Sequence, residues 1–285
     1  MSKVVRKPAE FRQACEDARA AKRRVGLVPT MGALHDGHFS LLDEAKSRAD
    51  FIVLTIFVNP LQFAPGEDLE RYPRTFESDL AGCRERGVDL VFAPEPNAMY
   101  SPAFQTEVSV KKIGKPLEGG FRPSHFDGVT TVVTKLFNLA GPSIAMFGRK
   151  DYQQWKVLSR MALDLDMPIE LVGCPIVREA DGLALSSRNR YLSTSDRRRA
   201  LGIVSGLRQA FDAWECGERD PDALRSLAEK SVRPAFDHLD YVAAVDPETL
   251  AAPPPSPSRL LIAVAAHLGA TRLIDNVVLG EDSRP

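Results

Sequence analysis

Residues 28–38 read VPTMGALHDGH, and this stretch decides how the rest of the chain is interpreted. It completes an apolar run, RVGLVPT (24–30), that has the length and composition of a buried strand. Two histidines, His35 and His38, then stand on either side of Asp-Gly at the start of a segment with helical periodicity. A strand that leads through a polar loop into a helix is typical of open α/β sheets, in which ligands bind beyond the carboxyl ends of the strands.

The alternation of strand and helix continues through the first 180 residues. Short apolar runs bounded by Gly, Pro or charge alternate with segments whose apolar residues recur every three or four positions. The further strands predicted in this way are DFIVLTIFV (50–58), DLVFAP (89–94), SIAMFG (143–148) and IELVGCPIV (169–177). The pattern predicts an α/β fold: a parallel sheet with helices on both faces.

The order of predicted helices and strands changes after about residue 180. A long helix opened by STSD (193–196) and a second helix precede three strand-like runs, which indicates a smaller α+β domain. We therefore expect one domain at 1–178 and a second at 179–285. The proline-rich stretch APPPSPS (252–258) either connects two strands or binds a partner as an extended segment.

Composition narrows the class of protein. The chain has 285 residues and a formal net charge of -1, so no broad basic surface indicates nucleic acid or an anionic membrane as a partner. The four cysteines form no CxxC pair, and no apolar stretch is long enough to span a membrane. We expect a cytoplasmic protein.

The histidine pair suits an anionic ligand. The loop contains neither GxxxxGK[ST] nor GxGxxG, so other groups must meet a phosphate placed at this helix N-terminus. Two imidazoles can donate hydrogen bonds to oxygens that gain charge when phosphorus is attacked. The alternatives are a zinc pair spaced i, i+3, which lacks an evident third ligand, and ordinary capping and turn residues.

Three further segments place polar residues after apolar runs. Asn59 and Gln62 offer neutral amides to a small polar ligand, or are simply solvated loop residues. Lys150 suits phosphate, Asp151 suits ribose or a helix cap, and Gln154 lies one turn further along; the alternative is a capped helix with a surface lysine. Residues 186–188, Ser-Ser-Arg, stand at the expected domain boundary and suit β- and γ-phosphates on a closing loop, or form a linker with cap residues.

Together these stretches make the chain resemble the pantothenate synthetases (pantoate–β-alanine ligases), within the nucleotidyl-transferase group that also contains class I aminoacyl-tRNA synthetases. The resemblance covers nearly the whole chain. The motifs that carry it are VPTMGALHDGH (28–38), FVNPLQF (57–63), HFDGVTTVVTKLFN (125–138), FGRKDYQQ (147–154), DGLALSSRNRYLS (181–193), DPETL (246–250) and TRLIDN (271–276). HxGH alone would indicate only the wider group.

The resemblance implies an acid–amino-acid ligase that condenses (R)-pantoate with β-alanine and ATP, giving pantothenate, AMP and pyrophosphate through a pantoyl-adenylate. It implies Mg²⁺ as a cofactor and a homodimer. It also implies a Rossmann-like first domain that binds nucleotide and pantoate, and a smaller second domain that closes over ATP. No residue is predicted as a metal ligand.

The site residues that the resemblance implies fall into three sets. Catalytic roles fall to His38, the expected proton donor, and to His35, Lys150, Ser186, Ser187 and Arg188. Pantoate binds Gln62 and Gln154, and β-alanine binds Gln62. The ATP contacts are Met31, Gly32, Ala33, Leu34, His35, Asp36, Gly37, His38, Gly148, Arg149, Lys150, Asp151, Val177, Leu185, Ser186, Ser187 and Arg188.

Two rival functions remain at this point. A transferase of the same group that acts on a phosphorylated acceptor would need a further basic cluster, whereas Asn59, Gln62 and Gln154 are neutral. An ATP-sensing module without turnover would not need the complete set of histidines and cations.

Overall fold

A computed structural model describes residues 2–285, and the chain divides into two compact units. The first comprises the described residues through Arg149 together with Gln154–Pro175. The second comprises Lys150–Gln153 and Ile176–Pro285. Within the described range, no helix has the length and apolar character needed to cross a membrane.

The first unit is built on a six-stranded parallel sheet, as predicted. Its strands are β1 (Lys3–Val5), β2 (Val25–Thr30), β3 (Phe51–Ile56), β4 (Leu90–Phe92), β5 (Ser143–Gly148) and β6 (Ile169–Cys174). Their order is β1-β4-β3-β2-β5-β6, and every pairing is parallel. Strand β1 was not predicted from the sequence, because three residues are too few to show a periodic pattern.

Helices accompany the sheet along the chain. They are α1 (Pro8–Ala20), α2 (Asp36–Arg48), α3 (Phe76–Glu85), the short α4 (Pro96–Met99) and α5 (Glu118–Phe121), α6 (His125–Ala140) and α7 (Tyr152–Asp164). Successive strand residues point to opposite faces, so Leu27 joins the core with Phe11 of α1, whereas Val28 joins the core with Leu42 of α2. The prediction of helices on both faces is confirmed.

The strand order places a topological switch between β2 and β5. From β2 the chain moves outward to β3 and then β4, whereas β6 lies outward of β5 on the other side. This is the Rossmann-like arrangement, and it leaves a crevice where the carboxyl ends of the two central strands diverge. Those strands end at Thr30 and Gly148.

The second unit is an α+β structure, also as predicted. Helices α8 (Thr194–Glu215) and α9 (Pro221–Val232) precede the antiparallel strands β7 (His238–Val245), β8 (Leu260–Leu268) and β9 (Thr271–Leu279). Its core joins Leu207 of α8, Ala228 of α9 and Val264 of β8. The proline-rich stretch connects β7 to β8, in agreement with the first of its two interpretations.

Candidate active site

The loop between β2 and α2, residues 31–38, is called here the histidine loop. Two of its residues have left-handed backbone conformations, Gly32 at φ 83° and Ala33 at φ 52°. Asp79 of α3 accepts hydrogen bonds from the amides of Ala33, at 2.9 Å, and Leu34, at 2.8 Å. A non-glycine residue in this region costs about 1–2 kcal/mol, so the two bonds to the carboxylate offset a conformation that the loop would not adopt alone.

Asp79 was not predicted from the sequence. It is 3 % exposed and lies on the buried stripe of α3 together with Leu80 and Cys83. A carboxylate on an apolar helix face must find hydrogen-bond donors, because burying it alone is costly. That conflict in FESDLAGC was the available signal, although nothing local indicates which amides meet the acid.

The two histidines lie side by side at the start of α2. The helix begins at Asp36, because His35 acts as its N-cap: Nδ1 of His35 accepts from the Gly37 amide at 3.1 Å. An accepting Nδ1 places the proton of a neutral imidazole on Nε2. The ring centroids of His35 and His38 are 4.2 Å apart.

The first-turn amides of α2 are thus engaged within the chain. The Gly37 amide meets the imidazole, and the His38 amide donates to the His35 carbonyl at 2.7 Å. A helix N-terminus ordinarily offers free amides to an anion. The imidazole N–H groups, rather than these two amides, are therefore the donors suited to an anion. Over residues 2–285, no group of three or more His, Cys, Asp and Glu side chains is placed to hold a metal ion.

Gln62 lies in a 3₁₀ turn after β3, Pro60–Gln62, called here the glutamine turn. The side-chain amide of Asn59 donates from Nδ2 to Gln62 Oε1 at 3.0 Å, and its Oδ1 accepts from the Tyr100 hydroxyl at 2.8 Å. Asn59 is 1 % exposed, so it is a buried residue that orients Gln62 and not the exposed loop amide that the sequence suggested. Since Oε1 accepts, the Gln62 amide offers its N–H₂ group, and this nitrogen lies 3.3 Å from Met31 Sδ.

The backbone of the glutamine turn is held by two side chains at and just before the start of α6. Nη2 of Arg122 donates to the Gln62 carbonyl at 3.2 Å, and Nδ1 of His125 lies 2.9 Å from the same oxygen. Burial and the Arg122 charge lower the pKa of His125 to about 4, so the imidazole is neutral and donates through Nδ1–H. Arg122 also makes a two-point ion pair with Glu67. Burial alone would raise the pKa of Glu67, but the hydrogen bond and the charge of Arg122 outweigh burial and lower that pKa.

Gly128 allows α6 to approach this turn. A Cβ at Gly128 would stand 2.3 Å from the Leu61 carbonyl oxygen and 2.6 Å from the Gln62 nitrogen. Any side chain would push backbone against backbone, so the glycine in HFDGVTT is required for close packing. Asn59 completes the contact by donating to the Gly128 carbonyl at 3.1 Å.

The predicted site residues after β5 are distributed over both units. Gly148 ends β5, and a Cβ there would meet no atom within 4 Å. The chain continues into the 3₁₀ turn Arg149–Asp151, in which Lys150 is half-buried and Asp151 exposed, and Gln154 is half-buried in the first turn of α7.

The serine–arginine segment, residues 185–188, follows a small hairpin of the second unit. The Leu185 amide donates to the Val177 carbonyl at 3.0 Å, which brings these two predicted ATP contacts together. Ser186 Oγ accepts from the Arg188 amide at 3.2 Å and caps the 3₁₀ turn Ser187–Tyr191. These hydrogen bonds order the segment, and the cap formed by Ser186 agrees with the alternative interpretation as a linker with cap residues.

The fold and the histidine loop define a class first: a Rossmann-like α/β protein with an HxGH loop at the switch point of its sheet. The family model described as pantoate-beta-alanine ligase matches residues 3–278. The chain therefore belongs to the pantoate–β-alanine ligase family, as its motifs predicted.

Individual relatives agree with this assignment over their full lengths. The chain is 50% identical to pantothenate synthetase 1 of Bradyrhizobium diazoefficiens over 278 residues, 97% of this chain and 98% of that one. The crystal structure of pantothenate synthetase from Thermus thermophilus superposes with a TM-score of 0.91 at 44% identity, covering 97% and 99%. The pantoate-beta-alanine ligase of Francisella tularensis, complexed with beta-gamma ATP and beta-alanine, superposes at 0.81 with 30% identity over both whole chains.

Proposed function

We propose that the protein condenses (R)-pantoate with β-alanine at the expense of ATP, through a pantoyl-adenylate, and releases pantothenate, AMP and pyrophosphate. Membership of the pantoate–β-alanine ligase family supports the reaction. The Francisella tularensis relative, whose structure holds an ATP form and β-alanine, supports ATP as co-substrate. The ATP contacts proposed are residues 31–38, 148–151, Val177 and 185–188.

One observation carries the proposal. The Gln62 amide nitrogen lies 3.3 Å from Met31 Sδ, which brings the glutamine turn against the histidine loop. An amide that donates hydrogen bonds suits a carboxylate, and the adjoining imidazole pair suits the phosphate that the carboxylate attacks. The acid-binding and phosphate-binding groups thus stand at the ends of adjacent strands, β2 and β3.

The first step has to overcome repulsion between a carboxylate and the α-phosphate. His35 donates from Nε2 because its Nδ1 is occupied by the Gly37 amide, and His38 adds a second donor. Lys150 and Arg188 add positive charge to phosphate oxygens, with Ser186 and Ser187 as hydroxyl donors. These groups stabilise the charge that develops while pyrophosphate departs.

Mg²⁺ accompanies ATP in this proposal and neutralises part of the phosphate charge. Magnesium keeps several waters and is usually bound through one or two carboxylates together with substrate phosphates. Asp36 is an exposed carboxylate within the proposed ATP segment 31–38, and its oxygens would fit such an ion.

The second step joins β-alanine to the activated acid. Gln62 binds the β-alanine carboxylate and, together with Gln154, also binds pantoate. The neutral amine of β-alanine is therefore held close to the acyl carbon. Proximity supplies most of the rate, because an adenylate needs no nucleophilic Ser or Cys to react with an amine.

The experiment measures pyrophosphate and AMP separately. Pyrophosphate release from ATP should require pantoate, and AMP should accumulate at steady state only when β-alanine is also present. Pyrophosphate release that needs a phosphorylated acceptor would favour the rival transferase. ATP binding without any turnover in the presence of pantoate, β-alanine and Mg²⁺ would favour the ATP-sensing module.

We also propose that the protein is a cytoplasmic homodimer and that residues 179–285 form a domain that closes over ATP. The family resemblance supports both statements. Light scattering in solution tests the dimer, and small-angle scattering with and without a non-hydrolysable ATP analogue tests closure: an unchanged radius of gyration would contradict it.

A further inference from the structure

Strand β9 carries two adjacent buried polar residues that the proposed chemistry does not use. Asp275 is 3 % exposed and Asn276 is 4 % exposed, and both belong to the TRLIDN motif. Adjacent residues of a strand point to opposite faces of the sheet. Asp275 shares its face with the core residues Leu273 and Val277, and Asn276 points the other way.

The two side chains reach two different segments of the second unit. The Asn276 amide donates to the Lys150 carbonyl at 2.9 Å. Asp275 accepts two hydrogen bonds from Arg178, at 2.6 and 3.0 Å, in an ion pair that is nearly excluded from solvent. Two-point pairing of this kind fixes direction as well as distance.

Arg178 begins the hairpin that leads into the serine–arginine segment. It forms a β-bridge with Ala184, and it donates to the Gly182 carbonyl at 3.1 Å across the same hairpin. Asn189 then ties the far side of the segment back, donating to Glu179 at 2.8 Å and to the Ala184 carbonyl at 3.1 Å.

We infer that Asp275 and Asn276 are positioning residues that act from the two faces of one strand. Asn276 fixes the turn Arg149–Asp151, and Asp275 fixes the serine–arginine segment through Arg178, so that both segments are placed to bind ATP. The inference rests on the proposed function, since it assigns ATP to those two segments. It explains why an acid and an amide, both costly to bury, occupy consecutive positions of a strand that supplies Leu273, Val277 and Leu279 to the core.

The test compares Asn276→Asp and Arg178→Lys with the wild-type protein. Asn276→Asp keeps the shape of the side chain but removes the donor to Lys150, and Arg178→Lys keeps the charge but loses the two-point geometry. Each should raise the KM and the dissociation constant for ATP by about tenfold or more, with the KM for pantoate within twofold of wild type, because small displacements of binding groups are expensive in rate and affinity.

Hydrogen–deuterium exchange provides a readout that does not depend on turnover. Asn276→Asp should raise exchange at residues 148–152 and leave 178–189 protected, and Arg178→Lys should do the reverse. The matched control is Asn138→Asp at an exposed position of α6, which should change neither segment.

The outcomes separate this inference from the proposed function. An inactive wild-type protein would overturn the ligase proposal, while ATP titration and exchange would still decide the inference. Unchanged ATP affinity in both variants would overturn it, and so would increased exchange throughout the second unit, which would show a general loss of stability.

Discussion

The histidine loop and the glutamine turn follow adjacent strands of one sheet, and they are anchored by opposite chemistry. The histidine loop is held by an acid, because Asp79 accepts hydrogen bonds from two of its amides. The glutamine turn is held by donors, because Arg122 and His125 both contact the Gln62 carbonyl. The acid comes from α3, whereas the two donors lie at the start of α6 and just before it.

This difference shows how one sheet edge can present two kinds of donor to different ligands. The anchors act on backbone groups, so the chemistry offered to ligands resides in side chains: imidazoles on the histidine loop and an amide on the glutamine turn. Asn59 refines the second segment by fixing which end of the Gln62 amide donates. The contrast predicts separable effects on phosphate chemistry and on acid binding.

The largest effect is expected from His38→Ala. Loss of an imidazole that stabilises charge on phosphate oxygens should slow single-turnover pyrophosphate release by about 10²-fold or more, with pantoate affinity unchanged. The control is His238→Ala, an exposed histidine of β7. If His38→Ala had wild-type single-turnover kinetics, the histidine loop would take no part in the chemical step, and the contrast between the two segments would be contradicted.

The second-largest effect is expected from Asp79→Asn. Asparagine can accept from one of the two loop amides but turns its own N–H₂ toward the other, leaving a buried donor unsatisfied. We expect the free energy of unfolding to fall by about 2–3 kcal/mol in urea denaturation, together with a lower kcat. Asp43→Asn, at an exposed position of α2, is the matched control. A variant with wild-type stability would show that the loop does not need its acid.

The strands other than β1, and the positions of the histidine loop and the glutamine turn, could be predicted from the sequence because they depend on local composition. A strand buried on both faces is continuously apolar, as in SIAMFG, and polar residues that follow such runs mark the ligand edge of a parallel sheet. The same reasoning is enough to locate the histidine loop and the glutamine turn along the chain, whereas the serine–arginine segment follows no strand of this sheet.

The anchors could not be predicted in this way because they depend on contacts between distant parts of the chain. Asp79 is 46 positions from Ala33, and Asn59 is 69 positions from its partner Gly128. Asn59 has the local sequence of a solvated turn residue, yet the Tyr100 hydroxyl and the close approach of α6 bury it. The His35 cap was missed for another reason: imidazole is not among the usual N-cap groups.

Gly128→Ala tests the glutamine turn alone. The added methyl group would collide with the backbone of Leu61, so the turn or α6 must shift. We expect a loss of about 2 kcal/mol in unfolding free energy and a several-fold higher KM for pantoate, with the KM for ATP affected less. Gly120→Ala is the control, since its nearest contact, the Lys115 carbonyl, lies at an ordinary 3.7 Å. Equal increases in both KM values would contradict the separation of the two segments.

The smallest expected effect concerns pH and the donor side of the comparison. The pKa of His125 is about 4 in the folded protein, against 6.5 for an ordinary histidine, because burial and Arg122 oppose its charge. The unfolded chain therefore binds more protons between these values, and stability should fall as the pH drops from 7 to 5, by about 2 kcal/mol from this group.

His125→Asn can keep a donor to the Gln62 carbonyl without a titrating group, so its unfolding free energy should lack this part of the slope. Glu67 and Glu118, which face the imidazole and favour its charge, are unchanged in both proteins. Identical slopes for the two proteins would mean that the pKa of His125 is the same in the folded and the unfolded chain, and that burial and Arg122 do not oppose its charge.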